Sequence, residues 1–378
     1  MTRSLGLLLC VLAGALAAQS FEEELRRGLL ALSANDLAQA RQSLEKASRA
    51  QPDNAMVWAA LAQTYLRGKE AVLANEAAGR AGHLAAADSP VQHALAMFYS
   101  ETGDFGKAAE AERRYASGKG ADADSAASAA GLSLRSGDVE QAILWGKTAV
   151  ERDPKKEEYA FDLGQMQLRR GDFAGASATF EAARRRFPQS AQMQLAYGVA
   201  AYGQRRFADA IDAFLRVTAM DVAVEQPYVF LARILGQAGD RLPQVVAAFA
   251  AWEKAEPGNY LAACLYAKAL SAAAGHPGEI EAGLRRSIQL NDAYWESHFE
   301  LGVLLGKNRE WKQAAAELSR SIELNPGVAA AHFQLARAYD KLGDAEKARM
   351  ERAEHERLTA AETGAGADAV VGKDKPRP

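Results

Sequence analysis

The chain has 378 residues, with 45 Lys and Arg against 48 Asp and Glu, a formal net charge of −3 and 49% hydrophobic residues. Acids and bases are interleaved, so no basic stripe suits nucleic acid and no Lys/Arg cluster suits an anionic membrane surface. Two cysteines, one of them in an apolar leader, exclude a disulfide framework.

The leader comes first. Arg3 precedes an apolar run from Leu5 to Leu16, and Ala15-Leu16-Ala17 is a small-x-small cleavage signal. About twelve apolar residues fall short of a comfortable membrane span. Residues 1–18 are therefore read as a secretory signal peptide, cleaved after Ala17 or Ala18, with an uncleaved anchor as the alternative. Cys10 follows Leu9, where lipidation needs a small residue, so a lipoprotein is not expected. The expected location is periplasmic or secreted, or membrane-anchored if the signal is retained.

From Phe21 the chain follows a 34-residue ruler. Pro52 and Pro154 are three periods apart and Pro188 is one more. With Pro52 at position 32, repeats start at Phe21, Ala55, Ser89, Ala123, Glu157, Ala191 and Glu225. Gly103-Asp104, Gly137-Asp138, Gly171-Asp172 and Gly239-Asp240 then all fall at positions 15 and 16. Single-residue insertions in repeats seven and eight bring the last two starts to Trp295 and Ala329, which makes about ten repeats in residues 19–358.

Each repeat reads as helix, turn, helix. In repeat five, Ala160, Leu163, Gly164 and Gln167 share one helical face. Gly171-Asp172 ends that helix and caps the next. Ala176, Phe180 and Ala183 form the second apolar stripe, and Pro188 closes the unit. Position 8 is small in nearly every repeat (Gly28, Ala62, Ala96, Ala130, Gly164, Gly198, Ala232, Gly302, Ala336), as close helix approach requires. A lone hairpin cannot bury its apolar face, so the hairpins must stack.

Some stretches depart from the ruler. Repeat two has a thin second helix, repeat three has Glu112 at position 24, and repeat eight carries Gly275-His276-Pro277-Gly278. Ser117 to Ser128, rich in Gly, Ala, Ser and Asp, reads as a flexible seam. Asp344 to Arg357 is strongly charged, with Arg352 at position 24, as an end cap needs. Residues 359–378 have few large apolar residues and read as a disordered tail.

The pattern resembles the tetratricopeptide repeat family. Trp58, Leu61, Ala62, Tyr65 and Ala74 carry the resemblance in repeat two. Leu163, Gly164, Gly171, Phe173, Ala176, Phe180, Ala183 and Pro188 carry it in repeat five, and Leu335, Ala336, Tyr339, Gly343 and Ala348 in repeat ten. The resemblance covers about 340 residues and implies an all-α, right-handed superhelical solenoid of helix-turn-helix repeats.

No sequence motif carries chemistry: there is no HExxH, no Walker-type phosphate loop and no GxSxG elbow. His298 and His332 both occupy position 4 of adjacent first helices. Equivalent positions lie about 10 Å apart on packed helices, too far to share a zinc at about 2 Å from each nitrogen. They are expected to pack between repeats. Cys264, placed at position 7 of repeat eight, is expected to be a small buried hydrophobe. No catalytic residue, metal site or cofactor is expected.

A surface is the better clue. Positions 2, 5, 9 and 12 of the first helices centre about 130° from the buried stripe at about 100° per residue. In the tetratricopeptide family this face lines the concave groove, where extended peptides or helices bind. The resemblance thus implies a partner-binding set of Phe161, Gln165, Leu168, Leu195, Val199, Tyr202, Val229, Arg233, Tyr266, Phe299, Val303, Phe333 and Arg337. Its aromatics are either a contact strip or packing between neighbouring hairpins. The Lys and Asn set with which some family members clamp carboxylates is not found.

The expected function is a non-enzymatic protein–protein interaction scaffold, exported to the cell envelope, that binds a peptide or helix of a partner protein. One alternative is an accessory factor for envelope assembly or export, in polysaccharide or pilus machinery. Another is a carbohydrate-active enzyme built as a helical toroid, which short connections and in-phase repeats oppose.

Overall fold

The computed structural model describes residues 19–87 and 89–371, with side chains as far as residue 361. Every regular element among them is helical, and none of these helices is long and apolar enough to cross a membrane. The signal peptide expected over residues 1–18 lies outside the described residues. The chain forms two bodies, Met1–Phe187 and Pro188–Pro378.

The first body contains five hairpins. They are α1 (19–33) with α2 (Leu37–Ala50), α3 (Ala55–Arg67) with α4 (Ala71–Leu84), α5 (Pro90–Glu101) with α6 (Phe105–Ala116), α7 (Ala123–Arg135) with α8 (Val139–Arg152), and α9 (Glu157–Arg169) with α10 (Phe173–Arg186). The second body contains α11 (Ala191–Gly203) with α12 (Phe207–Met220), α13 (Glu225–Arg233) with α14 (Leu242–Ala255), α15 (Tyr260–Ala272) with α16 (Pro277–Leu290), α17 (Trp295–Lys307) with α18 (Trp311–Leu324), and α19 (Ala329–Leu342) with α20 (Ala345–Val371).

Size complementarity between positions 8 and 24 sets the approach of the two helices in the four hairpins with glycine at position 8. A Cβ on Gly164 would stand 2.2 Å from the Phe180 ring, on Gly198 2.6 Å from Phe214, on Gly302 2.6 Å from Leu318 and on Gly28 2.6 Å from Leu44. Each partner is the position-24 residue of the same repeat and is at most 1% exposed. The long side chain fills the space that the missing Cβ leaves, and its burial offsets the helix propensity lost at glycine.

The hairpin turn is fixed by backbone conformation. Every repeat has one left-handed residue, always at position 15: Gly103, Gly137, Gly171, Gly239 and Gly343, but also Asn35, Lys69, Arg205, Ala274 and Arg309. Asp36, Asp104, Asp138, Asp172 and Asp344 follow it and accept a hydrogen bond from the backbone N–H three residues on, capping the second helix.

A second device ties successive repeats together. The ring at position 4 donates to the carbonyl six residues back, in the loop that closes the preceding repeat. Trp58 Nε1 reaches Pro52 O at 2.7 Å and Tyr228 Oη reaches Val222 O at 3.2 Å. His298 Nε2 lies 3.1 Å from Asp292 O and His332 Nε2 3.2 Å from Pro326 O. A carbonyl only accepts, so each Nε2 carries the hydrogen. The two histidines thus occupy separate inter-repeat joints, and no group of His, Cys, Asp or Glu among the described residues is arranged to hold a metal ion.

Four details depart from the sequence reading. The insertion in repeat seven shortens α13 to nine residues, and two 3₁₀ turns, Leu235–Gln237 and Gly239–Arg241, take up the slack. Repeat eight starts at Tyr260, with Asn259 capping α15. That moves Cys264 from position 7 to 5 and Tyr266 from position 9 to 7. The seam at Ser117 to Ser128 is stapled: Arg152 donates to Asp122 O at 2.9 Å and Ala116 O at 2.8 Å. The tail expected from residue 359 is helical as far as Val371; a scarcity of large apolar residues denies a stretch a core, not a helix, and alanine-rich sequence has high helix propensity. Residues 372–378 lie outside the described residues.

A left-handed arginine costs about 1–2 kcal/mol of backbone strain, and glycine gives part of that back as unfolded-state entropy. Arg309→Gly should therefore stabilise repeat nine by about 0.5–1 kcal/mol. Gly343→Ala should destabilise repeat ten by a similar amount. Hydrogen exchange of the flanking helices reads both changes.

Candidate protein-binding surface

The thirteen expected contact residues fall on both bodies. Phe161, Gln165 and Leu168 lie on α9 in the first, and all three are half-buried. Phe161 packs at 6.3 Å, ring to ring, from Phe180, the position-24 residue of its own hairpin.

In the second body the first helices present Leu195, Val199 and Tyr202 on α11, all half-buried against the core around Phe214 and Tyr228. Tyr202 makes edge-on contacts with Phe207 and Phe230 at 6.0 and 5.3 Å. Val229 on α13 is half-buried, while the exposed Arg233 guanidinium lies 5.9 Å from the Phe230 ring. Tyr266 is half-buried, and its hydroxyl donates to Glu279 Oε1 at 3.2 Å on α16. Its place at position 7 removes it from the face to which the sequence reading assigned it. Phe299 packs 6.4 Å from Trp295 and lies against the cluster of Ala315, Leu318, Leu335 and Ala338.

The exposed part of the set is concentrated on α19. Phe333 is 44% exposed, with its ring 5.4 Å from His355. Arg337 is exposed and donates to Gln334 Oε1 at 3.0 Å. Val303, Gly306, Trp311, Gln334 and Arg337 line a cleft among α17, α18 and α19. A separate cleft between α19 and α20 is lined by Val328, Ala330, Phe333, His355 and Thr359. Phe161 and Phe299 are half-buried at the position where Phe333 is exposed, so equivalent phenylalanines have different exposures.

The sequence reading missed a half-buried ionic cluster in repeats eight and nine. Lys268 Nζ contacts Glu296 and lies 3.4 Å from Glu300, while Tyr294 Oη donates to Glu296 at 2.6 Å. Burial raises Glu300 above the ordinary carboxylate range; Lys268 opposes the shift and Glu296 adds to it. Burial likewise pushes up Tyr294, as does its bond to Glu296. Phase was the missed signal, since only the corrected start at Tyr260 puts Lys268 at position 9, beside Glu296 at position 2 of the next repeat. The Cys264 thiol is fully buried and pushed up to about 12 by burial, so it is an inert hydrophobe.

Phe299→Ala should lower stability by about 2–3 kcal/mol through lost packing, whereas Phe333→Ala should stay within about 0.5 kcal/mol of the parent. Thermal unfolding by circular dichroism separates them. Glu300 adds a pH dependence. Above its ordinary value of 4.5, the native chain keeps a proton that the unfolded chain has released, so this contribution to stability falls as pH rises through that window. Denaturation of Glu300→Gln across pH 4 to 8 should show a flatter profile than the parent.

A tetratricopeptide repeat family model matches residues 25–89 and 161–221, and a second matches residues 318–350. No curated protein matches the sequence. Among solved structures, MamA from Desulfovibrio magneticus RS-1 is 16% identical, with 45% of this chain and 95% of that one covered at a TM-score of 0.39. YrrB, described as a tetratricopeptide repeat protein with an unusual peptide-binding site, is 15% identical over 49% of this chain and 95% of its own, at 0.38. Yeast Tom70 is 13% identical over 94% and 97%, also at 0.38. The ruler, the paired helices and the matching family models make the chain a tetratricopeptide-repeat protein, built on a fold that supports protein interaction.

Proposed function

We propose that this chain is a non-enzymatic scaffold that holds a peptide or helix of a partner protein against the first-helix face of its second body, after export from the cytoplasm. The observation that carries the reading is the α19 surface. Phe333 stands 44% exposed at the cleft it shares with His355, one turn before Arg337, which lines the Trp311 cleft, in an array whose other large rings are mostly packed. An exposed aromatic beside an arginine is the composition of an interface anchor, and one such ring contributes about 1.5–3 kcal/mol when a partner buries it. Leu195, Val199 and Val303 add half-buried apolar area on the same helical face. Export rests on the leader ending Ala15-Leu16-Ala17. A mature chain whose sole thiol, Cys264, is fully buried suits an oxidising compartment.

The test is affinity capture from envelope and extracellular fractions with the full mature chain, beside a Phe333→Ala/Arg337→Glu variant of matched melting temperature. A partner held by the parent and released by the variant is expected; identical lanes would sink the reading. Export is checked separately by the N-terminal mass of the cell-made protein, which should begin at Ala18 or Gln19.

A further inference from the structure

Repeat three breaks the packing rule at its most buried position, and we propose that it does so to seat the lysine or arginine side chain of a peptide partner. At position 24, where repeats five and six place Phe180 and Phe214, repeat three places Glu112, which is 0% exposed. At position 6 of the following repeat, where Phe230 stacks on Phe214 at 5.1 Å, stands Ser128. Two large rings are thus replaced by a carboxylate and a hydroxyl, and the volume they would fill is an open cleft of about 240 Å³ with Glu112 at its base. His93, Met97 and Ser100, at positions 5, 9 and 12 of α5, form one wall, so the cleft opens on the face through which this fold receives chain. Leu132 on α7 forms part of the other.

The carboxylate at the base is half-satisfied. Glu112 Oε2 lies 2.8 Å from His93 Nδ1, while Oε1 is buried and has no hydrogen-bond partner among the described residues. The adjacent arginines are committed elsewhere: Arg113 donates to Ser133 Oγ at 3.1 Å and Arg114 to Glu110 at 2.6 Å. Buried polar atoms are nearly always paired, and an unmatched carboxylate oxygen calls for a charged N–H donor. Met97 and Leu132 offer apolar contact for an aliphatic stem, and Ser100, Ser128 and Glu101 add polar groups around it. Lysine and arginine have this form, an apolar stem ending in a cationic donor. Glu112 is closed to bulk water, but Met97 is 55% exposed, and its unbranched thioether can turn aside to admit the stem. The site lies wholly in the first body and stands whether or not the Phe333 surface of the second binds a partner.

The test uses the full mature chain with ¹³C-methyl methionine, the Met97 signal assigned through Met97→Leu. The probes are acetyl-Gly-Gly-Lys-Gly-Gly-amide, its norleucine counterpart and n-butylammonium. The lysine peptide is expected to move the Met97 methyl saturably, at least about tenfold more tightly than the norleucine peptide and more tightly than the free amine. Glu112→Gln should weaken the lysine peptide by about tenfold or more, and Glu112→Phe, which restores the ring of repeats five and six, should abolish the response. Equal responses to lysine and norleucine, or none to either, would overturn the proposal on the parent protein alone, without reliance on a variant that folds. Undiminished binding to Glu112→Gln would overturn the role of the carboxylate, and equal binding of n-butylammonium would overturn a peptide as the source.

Discussion

The distance between the two helices of a hairpin is set by one pair of side chains, and the remaining features follow from it. Where position 8 is glycine, position 24 is a ring or a leucine whose atoms occupy the place of the absent Cβ, as Phe180 does against Gly164 at 2.2 Å. Interiors are packed to near-crystalline density, so a glycine at position 8 is matched by a long side chain at position 24. Repeat four has two small residues, Ala130 at position 8 and Gly146 at position 24, and the close neighbour comes from the next repeat: a Cβ on that glycine would lie 3.3 Å from Leu163. Repeat ten removes the apolar partner, and Arg352 at position 24 turns to Asp340 at 2.9 Å.

The architecture was legible in the sequence because the devices that make it recur at fixed intervals. Pro52, Pro154 and Pro188 located the repeats, Gly-Asp pairs located the turns, and small residues at position 8 located the close approaches. Residue identity was a poorer guide where the structure constrains conformation instead. Arg205 and Arg309 adopt the left-handed turn without any glycine to announce it. The phase of repeat eight escapes the ruler for a related reason: the extra residue of repeat seven sits in its hairpin turn, and the Asn259 cap fixes where α15 begins.

The candidate surface was legible as a face but not in depth. Periodicity puts Phe161, Phe299 and Phe333 at one position, yet the first two pack against their own hairpins while the third stands exposed at the end of the array. Depth depends on what covers a residue, which a single repeat does not encode. The ionic cluster of Lys268, Glu296 and Glu300 escaped notice because its members belong to different repeats. Glu112 was visible from the start as a departure at position 24. Its consequence, a buried carboxylate beneath a cleft, needed the neighbouring small residue Ser128 to be seen in three dimensions.

The ring at position 4 joins two repeats by reaching only six residues back, as Trp58 does to Pro52 O and His332 to Pro326 O. A tie that is tertiary in effect is therefore local in sequence. Excising one whole period removes one joint together with the loop it fastens, and every surviving ring still finds its carbonyl. An excision of part of a period leaves such a tie intact unless it cuts the six-residue span, but it puts the helices of that repeat out of phase. The number of repeats is consequently free to drift by gain or loss of whole periods while the ruler itself is held, so that the reach of the array, and not its internal chemistry, is the property most open to evolutionary adjustment.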